Sequence, residues 1–161
     1  MKMIELTNGG FAIVDDSDFD YLNQWRWRFH DGWAARFSYS STNRRCKLIF
    51  MHRQLLNAPK NQDIDHINGN RLDNQRSNLR FCTRGQNTRN HGMYRNNTTG
   101  FPGVFRNGNG FIVRLHVGGV FKSFGTFPTP EEAWEVRQKV AKELFGEFYP
   151  KDPFRPSVSK Q

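Results

Sequence analysis

Residues 64–90, IDHINGNRLDNQRSNLRFCTRGQNTRN, decide the fold of the region around them. The stretch begins as an apolar strand, continues into a loop of Asn, Gly, Asp and Arg, and returns through NLRFC as a second strand. The loop is too polar for a core, and its Asn and Asp side chains suit hydrogen bonds to nearby backbone. Thr83 and Gln86 then match the capping box that opens a helix. The order predicts a strand–loop–strand–helix unit, written ββα.

Four side chains of this unit have the chemistry of a site. Asp65 and His66 stand where the first strand breaks into the loop, so both can reach one place, and Asn78 and Asn87 follow them. A neutral imidazole, with a pKa near ~6.5, is suited to take a proton from water. The oxygens of Asp65 and Asn87 suit a hard cation such as Mg²⁺. This set favours phosphodiester cleavage.

Arginines follow the Asp-His pair at short intervals. Guanidinium groups bind phosphates through paired hydrogen bonds, so we expect these side chains to hold a phosphate backbone. The expected contacts in this region are Arg71, Arg76, Arg80, Arg84 and Arg89. A calcium loop is excluded by the register, because the fifth position counted from Asp63 is Ile67 and Gly69 falls one place late.

The composition indicates a folded protein with an acidic partner. The 161 residues carry 24 Lys+Arg against 15 Asp+Glu, a formal net charge of +9, and 14% aromatic residues. Nucleic acid is the favoured partner, and no long apolar run indicates a membrane. No stretch of signal-peptide length occurs at the N-terminus, so we expect a cytoplasmic protein. Cys46 and Cys82 are expected to be core residues.

The chain divides into segments by composition. Residues 1–92 form a first domain whose residues 10–50 predict short strands, with a hairpin turn at Asp31-Gly32. Residues 93–99 are expected to be a linker and residues 150–161 a loose tail. Residues 100–149 predict three strands and a helix, which is capped by Thr129 with Pro130 at its first position. The apolar stripe of that helix is predicted to be Ala133, Val136, Val140, Ala141 and Leu144.

The stretch quoted first, together with FMHRQLL upstream of it, resembles the HNH nuclease motif, the ββα-metal fold found in phage and intron-encoded homing endonucleases. The resemblance covers about residues 10–92. It implies that His66 is the general base, that Asp65 and Asn87 hold a divalent metal ion, and that Asn78 braces the loop. Mg²⁺ is the expected ion, with Mn²⁺ as the alternative. Where Asn87 stands, many relatives have His, which leaves the metal preference open.

Two further histidines stay open at this point. His52 either supports the site or only packs, and His91 is a second candidate for support. A phage gene acting in a bacterial host cell is the source that the resemblance implies.

TTGFPGVFRNGNGFIVRLHVGGVFKSFGTFPTPEEAWEVRQKVAKELFGEFY resembles the plant ethylene-response-factor type of DNA-binding domain, over about residues 98–149. The resemblance implies a three-stranded antiparallel sheet packed on one helix, with the sheet in the major groove. Arg106, Arg114 and Lys122 are the expected DNA contacts; the alternative is that they are ordinary solvated charges. A Gly-Gly turn would pair Lys122 with Leu115 on the apolar face, so either a bulge shifts the register or Lys122 extends to solvent.

The sequence therefore predicts an α+β protein: a ββα-metal HNH nuclease domain preceded by a β-hairpin region and followed by a small sheet-and-helix domain. The predicted function is a metal-dependent endonuclease of double-stranded DNA, of the homing or mobile-element type. One ββα site cuts one strand, so a monomer would nick, and whether the chain dimerises stays open. A DNA-binding regulator with an inactive nuclease motif is the first alternative. An RNA-binding or RNA-cleaving protein is the second, because the many aromatic residues suit base stacking.

Overall fold

The computed structural model describes residues 1–40, 45–89, 97–149 and 154. These residues divide into two compact units, with the boundary between Asn87 and Thr88. Both units combine small antiparallel sheets with short helices, which confirms the predicted mixture of helix and strand.

The first unit contains most of the short elements. In chain order they are β1 (Lys2–Glu5), β2 (Phe11–Val14), α1 (Asp16–Leu22), β3 (Arg28–His30), β4 (Trp33–Ser40), β5 (Arg45–Phe50), α2 (Met51–Leu55), β6 (Asp63–His66), a 3₁₀ turn (Arg76–Asn78) and β7 (Leu79–Cys82), with α3 (Arg84–Arg89) at its end.

Three antiparallel sheets make up this unit. β1 pairs with β2, β6 pairs with β7, and β3, β4 and β5 form a sheet in that order. The turn between β3 and β4 is the predicted one: Asp31 and Gly32 both have positive φ, at 49° and 87°. Two such residues fit the type I′ turn of a tight hairpin, and His30 pairs with Trp33 across it.

Helix α1 was missed by the expectation of strands over residues 10–50. Its sequence, DSDFDYL, has few apolar residues, which hid the helical period. Asp16 and Asp18 in the first turn favour a helix N-terminus through the helix dipole. Leu22 is fully buried in the core, with Phe19 packed against it.

Trp27 is the largest fully buried side chain of the first unit, and the core surrounds it. Val14 of β2, Leu22 of α1 and Met51 of α2 belong to the same buried cluster, as does Ile64 of β6. The indole Nε1 of Trp27 donates to the backbone oxygen of Leu22 at 2.7 Å, so the buried donor is satisfied. This core reaches the strand that ends in the Asp-His pair.

The second unit is a three-stranded antiparallel sheet with a helix. Its elements are β8 (Val104–Asn107), β9 (Gly110–Val117), β10 (Val120–Phe127), α4 (Pro130–Phe145) and a 3₁₀ turn (Gly146–Phe148), and the strand order is β10-β9-β8. Val113 and Leu115 are buried with residues of α4, whereas Arg114 is exposed. Side chains from Val113 to His116 therefore alternate between the buried and the exposed face of β9.

The register of β10 shows which of the two alternatives for Lys122, a bulge or extension to solvent, the structure has. Lys122 does pair with Leu115, and an irregularity follows one residue later, between Ser123 and Thr126. Lys122 stays exposed, and Phe124, within the irregularity, packs against the core. The bulge thus begins too late to move Lys122 and instead turns an aromatic ring inward.

Helix α4 has the predicted start but a rotated buried face. Thr129 accepts a hydrogen bond from the backbone nitrogen of Glu132 at 3.3 Å, and Pro130 stands at the first position. The buried residues are Ala133, Trp134, Arg137, Ala141 and Phe145. Leu144, predicted to be on the buried stripe, is 44% exposed. The prediction failed because it counted Arg137 as a polar residue, although its guanidinium lies over the rings of Trp134 and Tyr149.

The expected linker and tail are only partly described. Residues 93–96 and most of 150–161 lie outside the described residues. Asn97 donates to the backbone oxygen of Phe101 at 2.9 Å, and Thr99 donates to that of Val104 at 2.9 Å, so residues 97 and 99 are bound to the start of the second unit. No helix among the described residues is long and apolar enough to cross a membrane.

Candidate active site

The β6–β7 hairpin presents the Asp-His pair. Asp65 pairs with Arg80 and His66 with Leu79, and the polar loop connects these strands. His66 is the last residue of β6, where the chain leaves the strand. Asp65 and His66 are only 4% and 3% exposed. Burying two titratable side chains is unfavourable unless polar groups surround them, and the loop provides such groups.

Asn78 closes the loop from its far end. Its Oδ1 accepts from the backbone nitrogen of Asn68 at 2.9 Å, and its Nδ2 donates to the backbone oxygen of Asp73 at 2.8 Å. The backbone oxygen of Asn78 also accepts from the nitrogen of Ile67, at 2.9 Å. Both ends of the amide are thus used to hold the chain directly after His66, which is the bracing position predicted for this residue.

Strand β2 and helix α1 hold the loop from outside. The backbone nitrogen of Ile13 donates to Leu72, and that of Asn74 donates to Ile13, at 2.8 and 2.7 Å. Arg76 donates to both carboxylate oxygens of Asp18 at 2.8 Å. This bidentate contact raises the pKa of Arg76. Arg76, predicted to contact DNA, is therefore placed as an anchor of the loop on α1.

Asn74 is the polar neighbour of His66 that the sequence analysis missed. Its side chain is fully buried, its Nδ2 donates to the backbone oxygen of Leu72 at 3.1 Å, and its Oδ1 lies 3.5 Å from Nε2 of His66. The bond to Leu72 fixes which end of the amide faces the imidazole. An amide oxygen only accepts, so this contact favours the tautomer with the proton on Nε2 and the lone pair at Nδ1.

Burial keeps His66 neutral. Desolvation lowers its pKa to about 4, against the opposing effects of the Asn74 hydrogen bond and the charges of Asp65 and Asp73. The charge of Arg71 lowers the pKa further. The imidazole is therefore in its basic form throughout the neutral pH range.

Aromatic rings pack around the imidazole of His66. The ring of His52 lies 5.2 Å from it, nearly perpendicular, and Trp33 lies 5.3 Å away. His52 itself is stacked on Phe50 at 5.7 Å, and its Nδ1 has no hydrogen-bond partner in the described part of the chain. Burial, followed by the charges of His66, Arg53 and Arg71, lowers the pKa of His52 to about 2. His52 thus contacts the candidate base as an uncharged ring.

Arg80 and Arg71 lie inside the site. Arg80 donates through Nε and Nη2 to the same oxygen of Asp65, Oδ2, at 2.9 and 2.7 Å. The guanidinium of Arg71 lies over the ring of Trp33, 4.5 Å from its centroid. Arg80, predicted as a phosphate contact, is instead placed on the candidate metal ligand, where it orients the carboxylate.

Helix α3 begins with the predicted capping box. The backbone nitrogen of Thr83 donates to Oε1 of Gln86 at 2.8 Å, and that of Gln86 donates to Oγ1 of Thr83 at 3.3 Å. Asn87 is half-buried on this helix, and its backbone nitrogen donates to Thr83. Arg84 is exposed at the helix start. The side chain of Arg89 and the whole of His91 lie outside the described residues.

Asp65 and Asn87 are oxygen donors of the kind that a hard divalent cation takes. A carboxylate and an amide supply oxygen, and Mg²⁺ commonly takes only one or two protein ligands, with water and phosphate completing the shell. Within the described ranges no group of three or more His, Cys, Asp or Glu side chains is arranged to hold a metal. Arg80 already holds one carboxylate oxygen of Asp65.

The three residues of the second unit that were predicted to contact DNA do not all lie together on the sheet. Arg114 and Lys122 line one open cavity together with Phe105, Phe121 and Ser123. Arg106 pairs with Phe111 and lies over its ring, 5.5 Å from the centroid. Because Phe111 packs toward the core, Arg106 is on the helix side of the sheet, and the structure does not bring it together with Arg114.

Two kinds of residue were missed by sequence reasoning. Asn74 was one of several asparagines in the loop, and only its complete burial distinguishes it. Trp33 lies in the segment predicted to form short strands, and its contact with the candidate base depends on how β4 meets β6. No local signal in the sequence marks either residue. Trp33 is distant from His66 along the chain, and Asn74 resembles the other asparagines of its loop.

Comparison with known proteins identifies the family. A family model described as HNH endonuclease matches residues 57–89, which include the β6–β7 hairpin and α3. An uncharacterised HNH endonuclease of Acanthamoeba polyphaga mimivirus is 33% identical over 144 residues, 87% of this chain and 73% of that protein. No solved structure matches the chain. The chain therefore belongs to the HNH endonuclease family, and the predicted enzyme class is confirmed.

Proposed function

We propose that the chain is a metal-dependent endonuclease that hydrolyses phosphodiester bonds of double-stranded DNA, with His66 as the general base. One observation supports this assignment above the others: a neutral imidazole is held at the end of β6 with its Nε2 facing the oxygen of Asn74. The nitrogen that would accept a proton is then Nδ1.

The residues around the base have separate tasks in this proposal. Asn74 fixes the tautomer, Asn78 holds the loop, and Arg80 orients the carboxylate of Asp65. His66 takes the proton of an attacking water at Nδ1, and the water oxygen forms the new bond to phosphorus while the bond to the 3′ oxygen breaks. A divalent ion held by Asp65 and Asn87 would stabilise the charge that develops on the leaving oxygen.

DNA holding is proposed for both units. Arg71 and Arg84 of the first unit, together with Arg114 and Lys122 of the second, would contact phosphates, and the net charge of +9 favours such a partner. The described residues include one strand–loop–strand–helix unit, so a monomer is proposed to nick. A homing role is proposed from the resemblance alone.

The test is cleavage of supercoiled plasmid with Mg²⁺, with Mn²⁺ and with EDTA. Wild type should convert the plasmid to open circles only with a metal, and His66→Ala should bind the DNA without cutting it. His30→Ala is the control for removing a histidine from the first unit, because His30 lies at the β3–β4 turn, one pair from the site through Trp33. Equal cutting by His66→Ala and wild type would remove the proposed base. Circular dichroism of both variants checks that they fold.

A further inference from the structure

The outer face of the sheet in the second unit exposes two large aromatic rings. Phe105 of β8 is 46% exposed and Phe121 of β10 is 74% exposed. Phe105 pairs with Ile112 and Phe121 with His116, so both rings are on the face of β9 that bears Arg114. The rings of Phe121 and His116 meet in an edge-on arrangement, with 5.0 Å between their centroids. Burying such rings in a partner is favourable, and their exposure indicates a binding surface.

The same face is positively charged. Arg114 pairs with Ser123 on this face, and both line an open cavity of about 390 Å³ together with the two phenylalanines and Lys122. That volume is within the range of about 300–1,000 Å³ typical of ligand sites. Residues 104–127 contain no Asp or Glu, and neither cation has an ion-pair partner in the part of the chain that the structure describes. A partner that combines flat apolar rings with negative charge fits this face.

We propose that this face binds single-stranded DNA, with bases stacked on Phe105 and Phe121 and phosphates held by Arg114. Two strand spacings of about 4.8 Å and four residue rises of about 3.3 Å separate the two phenylalanines by roughly 16 Å. That distance is too long for the rings to hold one base between them. Each ring therefore takes a different base of a strand that crosses the sheet diagonally, over Arg114.

An unpaired strand fits the face better than a duplex major groove does. Reading of base edges uses bidentate Arg, Asn or Gln side chains, and Arg114 is the residue of this kind beside the cavity. Phenylalanine faces are fully used only by bases that have left the stack, and stacking of this kind tolerates any sequence. The inference goes beyond the proposed cleavage and does not depend on it. It departs from the major-groove position that the resemblance implies.

The test measures binding in EDTA, so that no cleavage occurs. Fluorescence anisotropy of the full chain is recorded with a labelled oligothymidine and with a labelled duplex. Phe121→Leu and Phe105→Leu keep an apolar side chain but remove the ring, and each should weaken binding of the single strand by about tenfold or more. Phe121→Tyr keeps the ring and should retain binding. Phe11→Leu is the matched control, since Phe11 is 53% exposed on a strand of the first unit.

Three results would overturn the inference: no binding of the single strand by wild type, equal losses for Leu and Tyr variants, or equal losses for duplex and single strand. The last would mean that the rings contact a duplex. Plasmid cleavage measured on the same proteins separates the two proposals. A protein that cuts but does not bind the oligothymidine removes only the strand-binding face, and one that binds but never cuts removes only the proposed cleavage.

Discussion

Acid should destabilise the first unit through His52. This residue is 6% exposed, and burial is the main cause that lowers its pKa from 6.5 to about 2. In the unfolded chain the imidazole gains a proton as the pH falls through 6.5, whereas in the folded chain it stays neutral down to about pH 2. The unfolded state therefore binds more protons in this window, and the free energy of unfolding falls as the pH falls.

The size of the effect follows from the width of the window. Each pH unit well below 6.5 removes about 1.4 kcal/mol, so lowering the pH from 7 to 5 should cost roughly 2 kcal/mol from this one group. His52→Phe keeps a flat ring between Trp33 and Phe50 and cannot take a proton. Since Nδ1 of His52 has no hydrogen-bond partner among the described residues, the substitution breaks no bond at that atom. The variant should lose about 2 kcal/mol less than wild type over the same interval.

The assay is denaturant unfolding of the full chain on both sides of the ordinary histidine pKa. Three of the four tryptophans, including the fully buried Trp27, belong to the first unit, so tryptophan fluorescence reports mainly on that unit. His30→Phe introduces the same ring at the β3–β4 turn and is the control for the substitution itself. If wild type and His52→Phe lose the same free energy of unfolding between the two pH values, then His52 is not held neutral by burial, and the reasoning is refuted.

Three substitutions in the loop and hairpin test the other contacts. Asn74→Ala should lower the rate of plasmid nicking by about tenfold or more, because the imidazole loses the partner that fixes its tautomer; an unchanged rate would exclude that role. Arg80→Met leaves the buried carboxylate of Asp65 without its guanidinium and should lower the free energy of unfolding by about 3 kcal/mol in urea titration. Arg76→Met breaks the half-exposed pair with Asp18, and solvent screening limits the expected loss to about 0.5–1 kcal/mol, measured by thermal melting.

Local chemistry made the hairpin and its helix predictable. The Asn-rich loop satisfies its own backbone, as in the bonds from the nitrogens of Asn70 to Asn68 and of Leu72 to Asn70, at 2.8 and 3.1 Å. The capping box of Thr83 and Gln86 is likewise a contact within four residues. These hydrogen bonds join residues that are close together in the sequence, so they can be predicted from a single sequence.

Contacts between distant segments could not be predicted in the same way. The loop adds a bridge to β2 through Ile13 and Asp73, which are far apart in the chain. The packing of Trp33 and His52 on His66 depends on how three elements meet. Helix α4 shows the same limit, since an arginine at a buried position is indistinguishable from a solvated one until its aromatic neighbours are known.

The five arginines that follow the Asp-His pair and were predicted to contact DNA show why a count of basic residues overstates the number of phosphate contacts. Arg76 is bound to Asp18 and Arg80 to Asp65, so two of the five predicted contacts already have carboxylate partners within the protein. A cation paired in this way releases no counterion when DNA arrives, unless it first breaks its ion pair. The free energy of that exchange is small for the half-exposed Arg76 and large for Arg80, which is buried with its carboxylate. The salt dependence of DNA binding should therefore arise mainly from other cations, and in the second unit from Arg114 and Lys122, which have no acidic neighbour in their strands.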